Sequence, residues 1–370
     1  YIDFGSSKIR AAAFKKDNID NNFFFESKCH SNLNADYIDF SNAEKVIEKI
    51  IFDLENKTNE YLDNVNLMID SPNIFPVSIS VSKNYTEQKL TREDIQFLIQ
   101  DAKQQILRNY SEQSIIHIIV KNYKVDNIDY SFFPTEIESS KISLDIIFIC
   151  LPRIIISKIK ELFVKFNISL DQISISSYAK SLSYKDNFNS NKNLIFIDIG
   201  FVKTSIIHYK NNNIVFFNII PIGGNYITND LSKILNISLI DAEKIKLYFD
   251  TNQTIIKDKK LSLDLIKKII FARIEEILEL SINPIRFKKN LTENNILKII
   301  LMGEGSRILD NKFKDKISFD EKIDLLDETV LDICGSALKL NEGINKQEIV
   351  IVPKKQKKIG IFERFFHFFS

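Results

Sequence analysis

Two short turns carry the residues that could do chemistry. One is Asp3-Phe4-Gly5-Ser6-Ser7-Lys8, and the other is Asp198-Ile199-Gly200-Phe201-Val202-Lys203-Thr204. Overlaid, they match Asp3 with Asp198, Gly5 with Gly200 and Lys8 with Lys203. Backbone N–H groups at tight turns cradle phosphate oxygens, glycine lets the chain approach closely, and facing carboxylates hold a hydrated Mg2+. The pair therefore suits a nucleoside triphosphate. Asp3 and Asp198 would bear Mg2+ through water, with Gly5, Ser6, Ser7, Lys8, Gly200, Lys203 and Thr204 around the phosphates. A single Asp-x-Gly turn is a common structural hairpin, so it is the duplication that favours phosphate.

Each turn sits in the same pattern of elements. Leu194–Ile197, Ser205–Tyr209 and Ile214–Ile220 read as three strands of a meander, with Asn211-Asn212-Asn213 at the second turn. Ile2–Phe4, Lys8–Phe14 and Asn22–Phe25 repeat the plan, which implies an internal duplication folded as two facing lobes. Further candidates follow the second meander. Gly223-Gly224 begins a helix whose N–H groups and dipole can face an anion. Glu243 and Lys246 lie three apart on one helix face and could hold ribose hydroxyls, or form a solvated ion pair. Gly303-Glu304-Gly305-Ser306, after a buried strand, could pack under an adenine ring.

The 370 residues are 44% hydrophobic, enough for more than one core. A net charge of +1 gives no field that argues for nucleic acid. Cys29, Cys150 and Cys334 are far apart and odd in number, which reads as reduced and cytosolic. Cys29-His30 has no partners at zinc spacing and reads as a surface loop. The chain opens at Tyr1, already inside a strand, so a few residues are expected to precede it. No stretch of about 18 apolar residues predicts a transmembrane helix.

The expected fold is α/β, two-lobed, with a small α+β insert in the first lobe. Residues 1–82 and 168–193 form the first lobe and 83–167 the insert. The second lobe takes 194–226 and 283–340, with a small subdomain at 227–282. Within these, Val77–Val81 reads as a first-lobe strand, Thr91 caps a helix reaching about Leu107, and Arg153–Phe166 is the insert's last helix. Glu328–Leu338 reads as the last helix of the fold.

The order Asp-x-Gly-Ser-Ser-Lys, a second Asp-x-Gly meander, Ile219-Ile220-Pro221-Ile222-Gly223-Gly224-Asn225, Asp241-Ala242-Glu243 and a late Gly-x-Gly resembles the actin-like ATPase superfamily, whose fold is ribonuclease H-like. Within it the chain resembles the FtsA family of bacterial division proteins. Leu90–Ala102 is similar to the opening of that family's insert, and Ile219–Asp230 to its segment after the second phosphate loop. The resemblance implies ATP and Mg2+ as cofactors, self-association into filaments, and the C-terminal peptide of FtsZ and later division proteins as partners. It also implies a place on the cytoplasmic face of the inner membrane, at the midcell division ring. Two departures bear on nucleotide. Phe201, Val202 and Lys203 stand where the family has small residues, Val202 being ill suited to positive φ, and Glu304 stands where a glycine is usual. Both are expected to put side chains where nucleotide would sit, weakening binding and hydrolysis, while Lys203 could offset lost amide contacts with its charge. The small subdomain looks shortened between Asp250 and Leu263, though Lys257, Lys259 and Lys260 keep a basic surface for an acidic peptide.

Residues 341–358 read as a basic linker, and 359–370 as an amphipathic membrane-targeting helix. Ile361, Phe362, Phe365, Phe366 and Phe369 share one helical face, with Arg364 elsewhere and Lys357 and Lys358 preceding. At 1.5 Å per residue this segment spans about 18 Å, short of the roughly 30 Å hydrocarbon core, so it would lie in the surface of an anionic lipid membrane. An actin-like pilus-assembly ATPase of the PilM type, and a small-molecule kinase of the same fold, are the alternative readings.

Overall fold

The computed structural model describes residues 1–14, 23–28, 40–134, 137–188, 193–247, 261–288, 297–309 and 322–341; the side chains of 23–28, 87–88 and 287–288 are not described. The linker, the terminal amphipathic segment with Lys357 to Phe369, and Lys257, Lys259 and Lys260 lie outside these residues.

Two five-stranded sheets share one topology. In the first, β1 (Ile2–Phe4), β2 (Lys8–Ala13) and β3 (Phe23–Lys28) form the antiparallel meander, and β4 (Asn64–Ile69) and β9 (Ser169–Ile175) continue in parallel from β1, in the order β3-β2-β1-β4-β9. In the second, β10 (Asn193–Ile199), β11 (Thr204–Lys210) and β12 (Asn213–Ile220) form the meander, and β13 (Lys298–Met302) and β14 (Lys322–Leu325) follow in parallel. The registers coincide as well. Asp3 faces Met68 on its parallel neighbour, and Asp198 faces Met302. Asn211 and Asn212 both take positive φ, the backbone that a two-residue β11–β12 turn requires and that asparagine tolerates.

The third sheet is antiparallel, in the order β5-β8-β6-β7, from β5 (Phe75–Lys89), β6 (Gln113–Val125), β7 (Ile128–Tyr130) and β8 (Glu138–Pro152). Its central strand explains its own composition. On one face Ile142, Leu144, Ile146, Phe148 and Cys150 pack with α2 (Arg92–Asn109), while on the other Ile147, Ile149 and Leu151 join the core of the first sheet. A strand buried on both faces must be apolar throughout. Thr91 caps α2 through a reciprocal pair of hydrogen bonds with Asp94.

Four expected assignments sit differently in the structure. The strand foreseen at Val77–Val81 runs the full length of β5 and pairs with β8, so the third sheet begins at Phe75 and not at residue 83. Helix α3 (Arg153–Val164) buries Ile156, Ile159, Leu162 and Phe163 in the first lobe's core, alongside α1 (Phe40–Thr58), rather than in the insert. In the second lobe α5 (Gly224–Leu235), α6 (Leu239–Leu247) and α7 (Leu263–Lys288) share one core with the second sheet, and α7 continues past Pro284. The last helix, α8 (Val330–Asn341), starts two residues later than expected, because Thr329 and Asp332 cap it reciprocally. Glu328 is thereby left in the loop between β14 and α8, and α8 itself packs on the first sheet and α4 (Ser176–Tyr184) through Ile333 and Ala337, so the expected second-lobe range 283–340 ends before this helix.

Candidate functional site

The two Asp-x-Gly turns close in the same way. Gly5 N–H donates to the Lys8 carbonyl at 3.1 Å, and Gly200 N–H to the Lys203 carbonyl at 2.9 Å. Asp3, Gly5, Ser6, Ser7 and Lys8 from one lobe meet Asp198, Gly200 and Lys203 from the other around a cleft that Gly303 and Glu304 also line. The cavity measures about 60 Å3.

Charged side chains line the cleft, and most are paired across the lobes. Glu304 takes Lys8 at 3.1 Å and Arg10 at 2.7 Å. Lys203 reaches Asp70 at 2.9 Å and also bonds Ser205. Lys180, on α4 (Ser176–Tyr184), lies 2.8 Å from Asp198 and 3.3 Å from Glu328. Asp3 is held by Arg10 at 3.1 Å and by the Ser176 hydroxyl at 2.8 Å. Lys8 and Lys203 are repeat equivalents. So are Asp70 and Glu304, each two residues beyond the methionine that faces the turn aspartate. The two turn lysines thus cross to equivalent carboxylates of the opposite lobe, about a pseudo-twofold.

The electrostatics follow from this pairing. Burial works to raise the Glu304 pKa, but Arg10, Lys8 and Arg307 outweigh it and hold the carboxyl below its usual range. Burial works to lower the Lys180 pKa, and Asp198 and Glu328 reverse it, so the ammonium is held charged. Asp70, 19% exposed at its side chain, is pushed up to about 6 from 3.8, chiefly by burial, with Lys203 opposing and Asp198 adding. An aspartate raised in the fold disfavours folding as it ionises, so its contribution falls as pH climbs from about 4 to about 6. Urea unfolding across that window should therefore give a shallower loss of stability for Asp70→Asn than for the wild type; parallel curves would contradict the assignment.

Several expected site residues lie elsewhere. Thr204 is buried and donates to the Ile222 carbonyl at 2.7 Å. The start of α5 offers no free pair of donors, because Gly224 N–H and Asn225 N–H bond the Gly200 and Phe201 carbonyls at 2.9 and 2.8 Å. Gly223 serves that contact, since a Cβ there would sit 2.5 Å from the Phe201 carbonyl oxygen. Glu243 and Lys246 pair at 2.6 Å, and Lys246 also bonds the Gly224 carbonyl and the Thr228 hydroxyl. They fasten α6 to α5 and do not line the cleft. Gly305 packs on Ile199, and Ser306 donates to the Gly303 carbonyl at 2.7 Å. Of the unusual turn residues only Phe201 and Lys203 line the cleft. Val202 is buried away from it, and neither Phe201 nor Val202 takes positive φ. Lys203 is committed to Asp70 rather than held in reserve for phosphate.

Sequence reading missed Arg10, Asp70, Ser176, Lys180 and Glu328. One signal was present for Lys180, a lone charge in the small and apolar run Ser177-Tyr178-Ala179-Lys180-Ser181-Leu182. Mg2+ does not fit the donors found here. Asp3 and Asp198 would carry it, and each already has an organic cation within about 3 Å.

Two sheets of one topology, with paired turns facing across a cleft, define the actin-like ATPase fold. A chain of the PilM–PilN type IV pilus biogenesis complex superposes with a TM-score of 0.61 over 90% of this chain and 88% of that one, at 10% identity. The ethanolamine utilization protein EutJ from Carboxydothermus hydrogenoformans does so at 0.50 over 91% and 88%, at 12% identity. These likenesses are of fold alone. Within that class the chain is similar to the FtsA cell division proteins. The family model described as Cell division protein FtsA matches residues 195–277, from β10 into α7. The cell division protein FtsA of Buchnera aphidicola subsp. Baizongia pistaciae is 28% identical over 57% of this chain and 50% of its own length. That of subsp. Acyrthosiphon pisum is 24% identical over 84% and 79%, and that of Streptococcus pneumoniae 22% over 83% and 70%. The match spans about half the length of the Baizongia relative and of the one from subsp. Schizaphis graminum.

Proposed function

We propose that this chain is a cell division scaffold of the FtsA type. It assembles into filaments of its own copies on the inner face of the cytoplasmic membrane and ties FtsZ filaments there at midcell, where later division proteins join. The observation that carries the reading is the FtsA match through β10–α7, on a chain whose whole described fold is actin-like. Exposed Ile240 and Leu247 on α6, with Leu263 and Leu265 on α7, support a surface for the FtsZ C-terminal peptide, and the sequence between these helices carries Lys257, Lys259 and Lys260. No described helix is long and apolar enough to cross a membrane. The reading therefore takes the terminal Phe-rich segment as a surface anchor, weak singly and strong when repeated along a filament.

ATP is the ligand that the duplicated turns suit. To occupy the cleft it must displace the Glu304 carboxylate from Lys8 and Arg10, so the scaffold role rests on assembly and not on turnover. A fluorescent fusion of the full chain in dividing cells is expected to form a midcell ring, and one ending before Ile361 to be diffuse. A polar or diffuse full-length signal would overturn the reading.

A further inference from the structure

We propose that the cleft is self-liganded: Glu304 takes the place of a bound anion at Lys8 and Arg10, and Lys180 takes the place of a metal ion between Asp198 and Glu328. This rests on the reading of the cleft as the nucleotide site of an actin-like fold. It goes beyond that reading in naming what holds the lobes together and which form of nucleotide the site accepts.

Asp3, Asp70, Asp198, Glu304 and Glu328 line the cleft, and Lys8, Arg10, Lys180, Lys203 and Arg307 line it too. The acids and bases balance, and they pair between lobes: Glu304 with Lys8 and Arg10, Asp70 with Lys203, Lys180 with Asp198 and Glu328. In a site built for a metal–polyphosphate complex, carboxylates hold the cation and basic groups meet the phosphate charge. Here the carboxylates have ammonium and guanidinium partners, and the basic groups have carboxylate partners. A divalent ion at Asp3 and Asp198 would face Arg10 and Lys180 at close range, with like charges in a poorly solvated space.

Glu304 is the removable part. It stands on the short turn after β13, partly exposed, with both oxygens engaged by first-lobe cations. Its carboxylate lies beside the turn whose backbone and lysine would receive phosphate. Removing that one negative charge takes the Glu304 carboxylate from Lys8 and from Arg10, which Asp3 still holds, and opens their outer side to an external anion without disturbing Lys180. Any nucleotide that then binds does so as the uncomplexed anion, because the cation position stays filled from within.

The test is calorimetric titration of the full chain with ATP, once with Mg2+ and once with EDTA, for wild type, Glu304→Ala and Glu304→Gln. Wild type is expected to bind weakly or without detectable heat, alike in both buffers. Each variant is expected to gain about tenfold or more in affinity, and to keep the gain in EDTA. Wild-type binding that appears only with Mg2+ would overturn the proposal. So would unchanged affinity in both variants when thermal melts show them folded. If neither variant folds, the Mg2+ dependence of wild type decides alone. A midcell ring from a chain with Mg2+-dependent binding sinks this inference and leaves the scaffold role standing; the reverse pairing sinks only the scaffold role.

Discussion

Lys180→Met is expected to lower folding stability by about 3–5 kcal/mol at pH 7, the usual cost of stripping one partner from a buried ion pair. Lys180 is 5% exposed, and its partners Asp198 and Glu328 are 2% and 5% exposed. Methionine fills nearly the same volume, so the loss is one of charge and not of packing. Two carboxylates would then be left in a space where burial already raises the Glu328 pKa. The sign of the pH dependence follows. Lys180 itself is raised in the fold, so its contribution is complete below the ordinary lysine value of 10.5 and is lost as pH rises through the folded one. In the variant Glu328, which burial already raises, loses the ammonium that opposes the rise, so the native state binds a proton that the unfolded chain has released, and stability recovers on acidification. Urea unfolding should therefore show a gap between wild type and variant that is wide at pH 7 and narrower near pH 5. A gap below about 1 kcal/mol, the size of a surface pair, would mean that Lys180 is solvated.

Gly303→Ala should be comparably damaging, for a steric reason. Gly303 has φ +87° and ψ 161°, a region that is essentially glycine's alone. A Cβ there would strike Asp198 Oδ1 and lie 2.6 Å from the Ile199 carbonyl oxygen. Strain of about 1–3 kcal/mol and overpacking of about 1–3 kcal/mol act together. The contact also pushes on the carboxylate that Lys180 holds. Gly335→Ala is the internal contrast. It lies in α8, where a Cβ meets only Phe14 at 3.7 Å, an ordinary contact. Alanine in a helix is favoured over glycine by about 1 kcal/mol, so this change should leave the protein as stable or more so. Equal effects of the two substitutions, read from urea midpoints, would contradict the account of Gly303.

The duplicated fold was legible because it repeats locally. Asp3, Gly5 and Lys8 sit within six residues, as do Asp198, Gly200 and Lys203, and alternation supplied the meanders around them. The third sheet's boundary was not legible, since the partner of β5 lies across α2, β6 and β7 in the chain, and periodicity carries no information on pairing. The same limit hid the pairing within the cleft. Arg10 meets Glu304 over 294 positions, and Lys180 meets Glu328 over 148.

Spacing also cannot say which way a face points. Glu243 and Lys246 were rightly placed together on α6, and that face turns toward Gly224 and Thr228, with Lys246 5.5 Å from the ring of Phe201 at the edge of the cleft. The start of α5 had free donors only on paper, because the Gly200 and Phe201 carbonyls already accept from them. Glu304 was visible as a departure from the family pattern. What could not be read was that its charge would be met by two first-lobe cations.

The most direct test is a pair of thermal melts of the wild-type full chain, with and without saturating MgATP. A ligand at a hundred times its Kd adds about 2.7 kcal/mol to the native state, which raises the melt by a few degrees. A cleft that carries its own ions predicts coincident melts, with Glu304→Ala the variant that responds to ATP. A wild-type midpoint that rises with MgATP but not with ATP in EDTA would contradict it, and would return Asp3 and Asp198 to the service of a metal ion.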